Sequence, residues 1–130
     1  MRAVKKNDTG QPAGKLLCPI RYMMSMFGGK WKLPIVCMLS DGTPLRYSSI
    51  KRKLGSVTNV MLSQSLKDLE AAGILRRKQY NEVPPRVEYT LTEKGKSVLP
   101  ALTLVAGWAA EDMQGQSACG VKCGVCHATL

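Results

Sequence analysis

The apolar residues of this chain change their spacing along its length, and the changes mark out its elements. Between residues 18 and 40 they recur three and four apart, the repeat of a helix with one buried side. CPIRYMMSMFGG predicts a short first helix, with Cys18 as N-cap, Pro19 at the first helical position and Gly28-Gly29 as the stop. KWKLPIVCMLSDG predicts a second helix from Lys30, with Trp31, Ile35, Val36 and Leu39 on one side. Pro34 is tolerated there because it lies in the first turn, and Asp41-Gly42 ends the pattern. TPLRYSSIKRKLGSVTNVMLSQSLKDLEAAGIL then carries two helical patterns joined by a tight connection at Gly55, Ser56 and Val57, which is the pattern of a helix-turn-helix.

The first helix of that pair, 46–54, buries Ile50 and Leu54 and exposes Lys51, Arg52 and Lys53. The second has Thr58 as N-cap, runs to Ala72 and stops at Gly73. At about 100° per residue, Met61, Leu62, Leu66, Leu69 and Ala72 fall on one side, and Asn59, Val60, Ser63, Gln64 and Lys67 on the other. The outward side is small, polar and weakly charged, which suits the base edges of a major groove; Asn59 and Gln64 are its candidate base readers. An amphipathic helix of any globular domain also shows a polar outer side, so the face alone does not decide the matter.

The period then switches from helical to alternating. LRRKQY and RVEYTLT, separated by NEVPP, predict a two-stranded hairpin whose Pro84 and Pro85 belong at the loop because they donate no ladder hydrogen bond. Arg86 emerges beside that stiff tip, while Arg76, Arg77 and Lys78 line the other root. A basic finger of this kind fits a phosphate backbone or a narrow minor groove; otherwise the hairpin simply completes a sheet. A final helix is predicted over 93–113, with Val98, Leu102, Val105, Trp108 and Ala109 as its apolar stripe.

Charge sharpens this reading. Among 130 residues the formal net charge is +10, far enough from zero to point to a polyanionic partner. Residues 1–53 hold 11 Lys and Arg against 2 Asp and Glu, and residues 76–96, with the hairpin, hold 6 against 3. Residues 1–15 read as a flexible basic arm. No secretory signal is visible, and the longest apolar run, VLPALTLVAGWAA, is short for a span. The expectation is a soluble, cytoplasmic protein with no membrane partner. The one His of the chain lies near its end, and paired carboxylates, a phosphate-binding Gly loop or a nucleophile elbow are missing, so an enzyme is not expected.

Helix-turn-helix followed by hairpin is the order of a winged helix, and the blocks CPIRYMMSMFGGKWKLPIVCML, MLSQSLKDLEAAGIL and EVPPRVEYTLTEKGKSVLP resemble the HxlR-type transcriptional regulators, relatives of the MarR-like winged-helix proteins. The resemblance implies an α+β, mainly helical fold: a winged helix-turn-helix at 16–113 with a two-stranded wing and terminal dimerisation helices. It implies a homodimer on a pseudo-palindromic stretch of double-stranded DNA. The DNA contacts would come from Thr58, Asn59, Ser63, Gln64 and Lys67, with Arg46, Lys51, Arg52, Arg77 and Arg86 around them. The dimer interface would be built by Val98, Leu102, Val105 and Trp108, joined by Met23, Met26 and Phe27; the same stripe packing within its own subunit is the alternative. Val60 departs from the family pattern, where a polar residue is usual, and an apolar side chain there is suited to a thymine methyl.

Five cysteines, at 18, 37, 119, 123 and 126, are an odd number and argue against a disulfide framework. Cys37 falls among apolar neighbours and reads as buried filler. Cys18, at a helix N-cap with Arg21 and Lys15 near it, is placed to hold a stabilised thiolate. The resemblance implies that a cysteine in this Cys-Pro position senses oxidants or electrophiles in some members; an inert capping thiol is the alternative. In the tail, 114–130, CGVCH matches the short haem-attachment pattern but has no export signal to go with it. Cys119, Cys123, Cys126 and His127 form a soft donor set for Zn, Cu(I) or an iron-sulfur cluster, against a flexible tail that binds nothing. No cofactor is otherwise expected.

Overall fold

The structure, a computed structural model, describes residues 18–113. The arm at 1–15 and the tail with Cys119, Cys123, Cys126 and His127 lie outside the described residues. Elements follow in the order α1 (Pro19–Phe27), α2 (Lys32–Met38), β1 (Leu45–Arg46), α3 (Tyr47–Leu54), α4 (Asn59–Ala71), β2 (Leu75–Tyr80), β3 (Arg86–Leu91), α5 (Glu93–Ser97) and α6 (Leu99–Asp112). The strands form one antiparallel sheet with β3 in the middle, order β1-β3-β2. It is a winged helix-turn-helix fold.

The core sits where α2, α3 and α4 meet the sheet. Ile35, Val36 and Leu39 close it from α2 and its end, Ile50 from α3, Leu62, Leu66 and Leu69 from α4, and Ile74, Leu75, Tyr89 and Leu91 from the sheet side. On α4 the buried set recurs at i, i+3, i+4 and i+7, counting Ser65 with the three leucines. The expected inward position of Met61 is therefore corrected: Met61 is 45% exposed and Ser65, at 9%, takes the place beside Leu62 and Leu66.

Two further expectations change. The sheet has three strands, because Leu45 and Arg46 pair with Tyr89 and Glu88; a two-residue strand is too short for alternation to show in the sequence. The helix expected over 93–113 is two helices, with Val98 ending α5 and starting α6. Pro100 explains the break. In an unbroken helix its ring would strike the carbonyl four residues back, whereas in the first turn of α6 its missing N–H goes unused. Cys37, expected to be buried, is only half-buried.

Two glycines set the angles between elements. Gly55 has φ of 81° at the end of α3 and Gly73 has φ of 80° after α4, left-handed values that most residues adopt only with strain. The chain leaving Gly73 is then stapled: Thr92 Oγ1 donates to the carbonyl of Gly73 and accepts from Gly95 N at 3.0 Å, and Lys94 Nζ donates to Ala72 O at 2.8 Å. The bonds to Gly73 and Ala72 satisfy carbonyls that the end of α4 leaves open, and the bond from Gly95 satisfies an amide at the start of α5.

Candidate nucleic-acid interface

The helix-turn-helix places α4 with its N-terminal half outward. Thr58 caps it, its hydroxyl accepting from Met61 N at 3.1 Å, and its position is exposed. Asn59, Gln64 and Lys67 are exposed and Ser63 half-buried, all on the side away from Leu62, Leu66 and Leu69. Val60 is 79% exposed on the same helix. Beside it, an open cavity of about 360 Å³ runs between Val60, Met61 and Gln64 on one side and Gly28, Gly29 and Trp31 on the other.

Contacts from neighbouring elements hold the outward side chains. Tyr47, at the start of α3, reaches the Asn59 side-chain oxygen at 3.1 Å and lies 3.4 Å from Ser63 Oγ. Gln64 Nε2 donates to Asp68 Oδ1 at 2.8 Å, and Lys32 of α2 pairs with the other carboxylate oxygen at 3.2 Å. Burial pushes the Asp68 carboxyl up, but the Gln64 hydrogen bond, the Lys32 hydrogen bond and the Lys32 charge together hold it below its ordinary value. Sequence reasoning missed Tyr47, Asp68 and Lys32. Asp68 carried a signal, since residues four apart on a helix meet; Tyr47 lies 12 and 16 positions from its partners and carried none.

The cations are not equivalent. Arg46, Arg52, Lys67, Arg76, Arg77 and Lys78 are exposed. Lys51 is half-buried and donates to Val57 O at 3.3 Å, so it ties down the turn. Arg86 stands beside the wing tip, as expected, at the start of β3, but its side chain is folded onto its own hairpin. Its guanidinium lies 4.0 Å from the Tyr80 ring centre, 3.0 Å from Glu82 and 3.8 Å from Glu88. The register explains this: Tyr80 pairs directly with Arg86, so the two side chains share a face. Lys78 covers the Tyr80 ring too, at 5.0 Å.

Cys18 is exposed at the N-cap of α1. Its side chain makes no capping hydrogen bond, yet the amides of Arg21 and Ile20 favour its thiolate and, with the Arg21 charge, outweigh slight desolvation to lower its pKa.

The proposed interface residues separate into two groups. Met23, Met26, Val98 and Leu102 are partly buried against the subunit's own core, and Phe27, at 2% exposed, is inside it. Val105 and Trp108 are 60% and 70% exposed. Leu104, absent from the sequence-based stripe, is 77% exposed beside them, and Ile20 and Met24 of α1 are exposed as well.

Comparison with known proteins decides the family. The model of the HxlR-like helix-turn-helix matches residues 26–117. The chain belongs to the HxlR-like helix-turn-helix family. A relative from Halalkalibacterium halodurans, named as an HTH-type transcriptional regulator, is 44% identical over 90 residues, 69% of this chain and 80% of its own. The solved HTH-type transcriptional regulator ytcD matches 75% of this chain and 99% of its own at TM-score 0.72 and 37% identity. The redox regulator HypR in its oxidized form matches 73% of this chain and 96% of its own at TM-score 0.67 and 37% identity. This HxlR-like protein is thus a transcriptional regulator and not an enzyme. Among its described residues no helix is long and apolar enough to cross a membrane.

Proposed function

We propose that this HxlR-like regulator binds double-stranded DNA as a homodimer, each α4 entering a major groove of a pseudo-palindromic operator and each β2–β3 wing lying against the backbone. The supporting observation is the outward side of α4. Asn59, Gln64 and Lys67 stand exposed while Leu62, Ser65, Leu66 and Leu69 face inward, and Arg46 and Arg52 of the helix-turn-helix are exposed cations of the kind that suits phosphates. Its place of action is then the cytoplasm, with the chromosome. The test is fluorescence anisotropy of the purified protein on genomic fragments across a salt series. A preferred fragment, bound with a log affinity that falls steeply and linearly with log salt, is the expected result; equal binding to every fragment overturns it.

Cys18 is proposed as the regulatory input, through oxidation of its thiolate or through the attack of that thiolate on an electrophile. Its exposure, its lowered pKa and the similarity to the redox regulator HypR support this reading. A diamide or quinone dose that changes operator affinity in the wild type and leaves Cys18→Ser unaffected is expected. An equal response in the variant moves the sensor elsewhere.

A further inference from the structure

Gln64, Asp68 and Lys32 form a line of contacts from α2 to the outward side of α4. Gln64 Nε2 donates to one Asp68 oxygen at 2.8 Å, and Lys32 holds the other at 3.2 Å. An ionised carboxylate has no proton to give, so only the amino end of the Gln64 amide can face it. This contact settles an orientation that a glutamine otherwise leaves open: the carbonyl oxygen is the end turned away from Asp68. The Lys32 side chain is 17% exposed and that of Asp68 41%, so the anchor is built from the protein side while Gln64 stays in solvent.

We propose that Asp68, fixed by Lys32, is a specificity-positioning residue that presents Gln64 to DNA through its carbonyl oxygen, so that this position selects an amino base, adenine or cytosine, and rejects guanine and thymine. The inference rests on the DNA-binding reading above. In the major groove adenine offers its N6 amino group and cytosine its N4 amino group, whereas guanine and thymine present only acceptors there. A carbonyl oxygen set against an acceptor leaves both groups desolvated and unpaired. A glutamine without the anchor turns its amide over and satisfies either kind of base. Asp68 therefore sets the preference without touching the duplex, and the paired Lys32 keeps its negative charge from standing alone near the phosphates.

The test is selection from a randomised duplex pool with full-length wild type, Gln64→Ala, Asp68→Ala and Asp68→Asn, read column by column. Asp68→Asn keeps the size of the side chain, so it serves if the alanine variant does not fold, and its amide faces Gln64 with either a donor or an acceptor. The relevant column is the one whose preference disappears in Gln64→Ala. In the wild type it is expected to hold adenine or cytosine over guanine or thymine by about 5- to 150-fold, the discrimination of one good base contact. In both Asp68 variants guanine and thymine enter that column while the others keep their preferences. A wild-type column favouring guanine or thymine overturns the proposal, as does an unchanged column in Asp68 variants that still bind. A uniform loss of affinity with the amino-base preference kept makes Asp68 merely structural and overturns it too. If the wild type enriches no sequence at all, the DNA-binding reading itself falls, which is a separate and distinguishable failure.

Discussion

Arg86 and Arg77 sit on facing strands of one wing, yet only one of them is available to a phosphate. The Arg86 guanidinium is stacked on Tyr80 and faces Glu82 and Glu88, so reaching DNA would mean giving up those contacts first. Arg77 is exposed. Arg77→Ala is therefore expected to weaken operator binding and to lower the slope of log affinity against log salt by about 1, with Arg86→Ala changing the slope by less. Anisotropy titrations at four or more salt concentrations measure both; a larger slope change for Arg86→Ala would return the wing tip to the DNA. Cys18 gives a second expectation at this scale. The amides of Arg21 and Ile20 and the Arg21 charge lower its pKa against slight desolvation, so the folded protein holds more thiolate at neutral pH than the unfolded chain does. The half-maximum of its alkylation rate against pH, followed by peptide mass mapping, should lie lower in the folded protein than in denaturant. Coincident curves would show that the N-cap does nothing for the sulfur.

The elements were legible wherever a period had room to repeat. Ile35, Val36 and Leu39 on α2, and Leu62, Leu66 and Leu69 on α4, are spaced by the helical repeat and are all buried; Gly55 and Gly73 stop helices where left-handed φ is required. The candidate readers Asn59 and Gln64 were visible as the complement of that stripe. What escaped depends on contacts across the chain. The strand β1 exists because Leu45 pairs with Tyr89, 44 positions later, and Ser65 rather than Met61 faces inward because of what α4 packs against. The folding of the Arg86 side chain onto Tyr80 was not legible because it follows from the register of the hairpin. Docking of α5 is another such contact, and it can be tested. Gly95 is buried, and a Cβ there would collide with the carbonyl of Ile74 and press on Ile74 and Leu91 side chains. Backbone cannot yield as a side-chain end does, so Gly95→Ala is expected to cost about 1–3 kcal/mol, read as a lower urea midpoint with an unchanged slope. A midpoint equal to that of the wild type would mean that α5 is loosely held.

At the scale of the molecule, the described residues include an exposed apolar surface on α6. On α6, Leu104, Val105 and Trp108 are 77%, 60% and 70% exposed, and residues three and four apart on a helix stand side by side. Ile20 and Met24 of α1 add exposed apolar surface, while Leu102 and Val98 anchor α6 to the subunit's own core. Large apolar side chains grouped this way mark an interaction surface, and a second copy of the chain is the partner that the proposed binding to a pseudo-palindromic operator calls for. Trp108→Glu and Leu104→Glu separate this from a packing role, because neither side chain fills the subunit's core and their replacement leaves no cavity. Circular dichroism and the thermal midpoint measured at dilutions where the wild type is also monomeric should be unchanged. Sedimentation at micromolar concentration should show the mass fall from dimer to monomer. Operator affinity should drop by about 10²- to 10⁴-fold, the gain that two linked contacts give over one, while the base preference within a half-site survives because α4 is untouched. A variant that stays dimeric with an intact fold would move the subunit contact off α6; one that turns monomeric yet binds the full operator as tightly would show that a single subunit suffices.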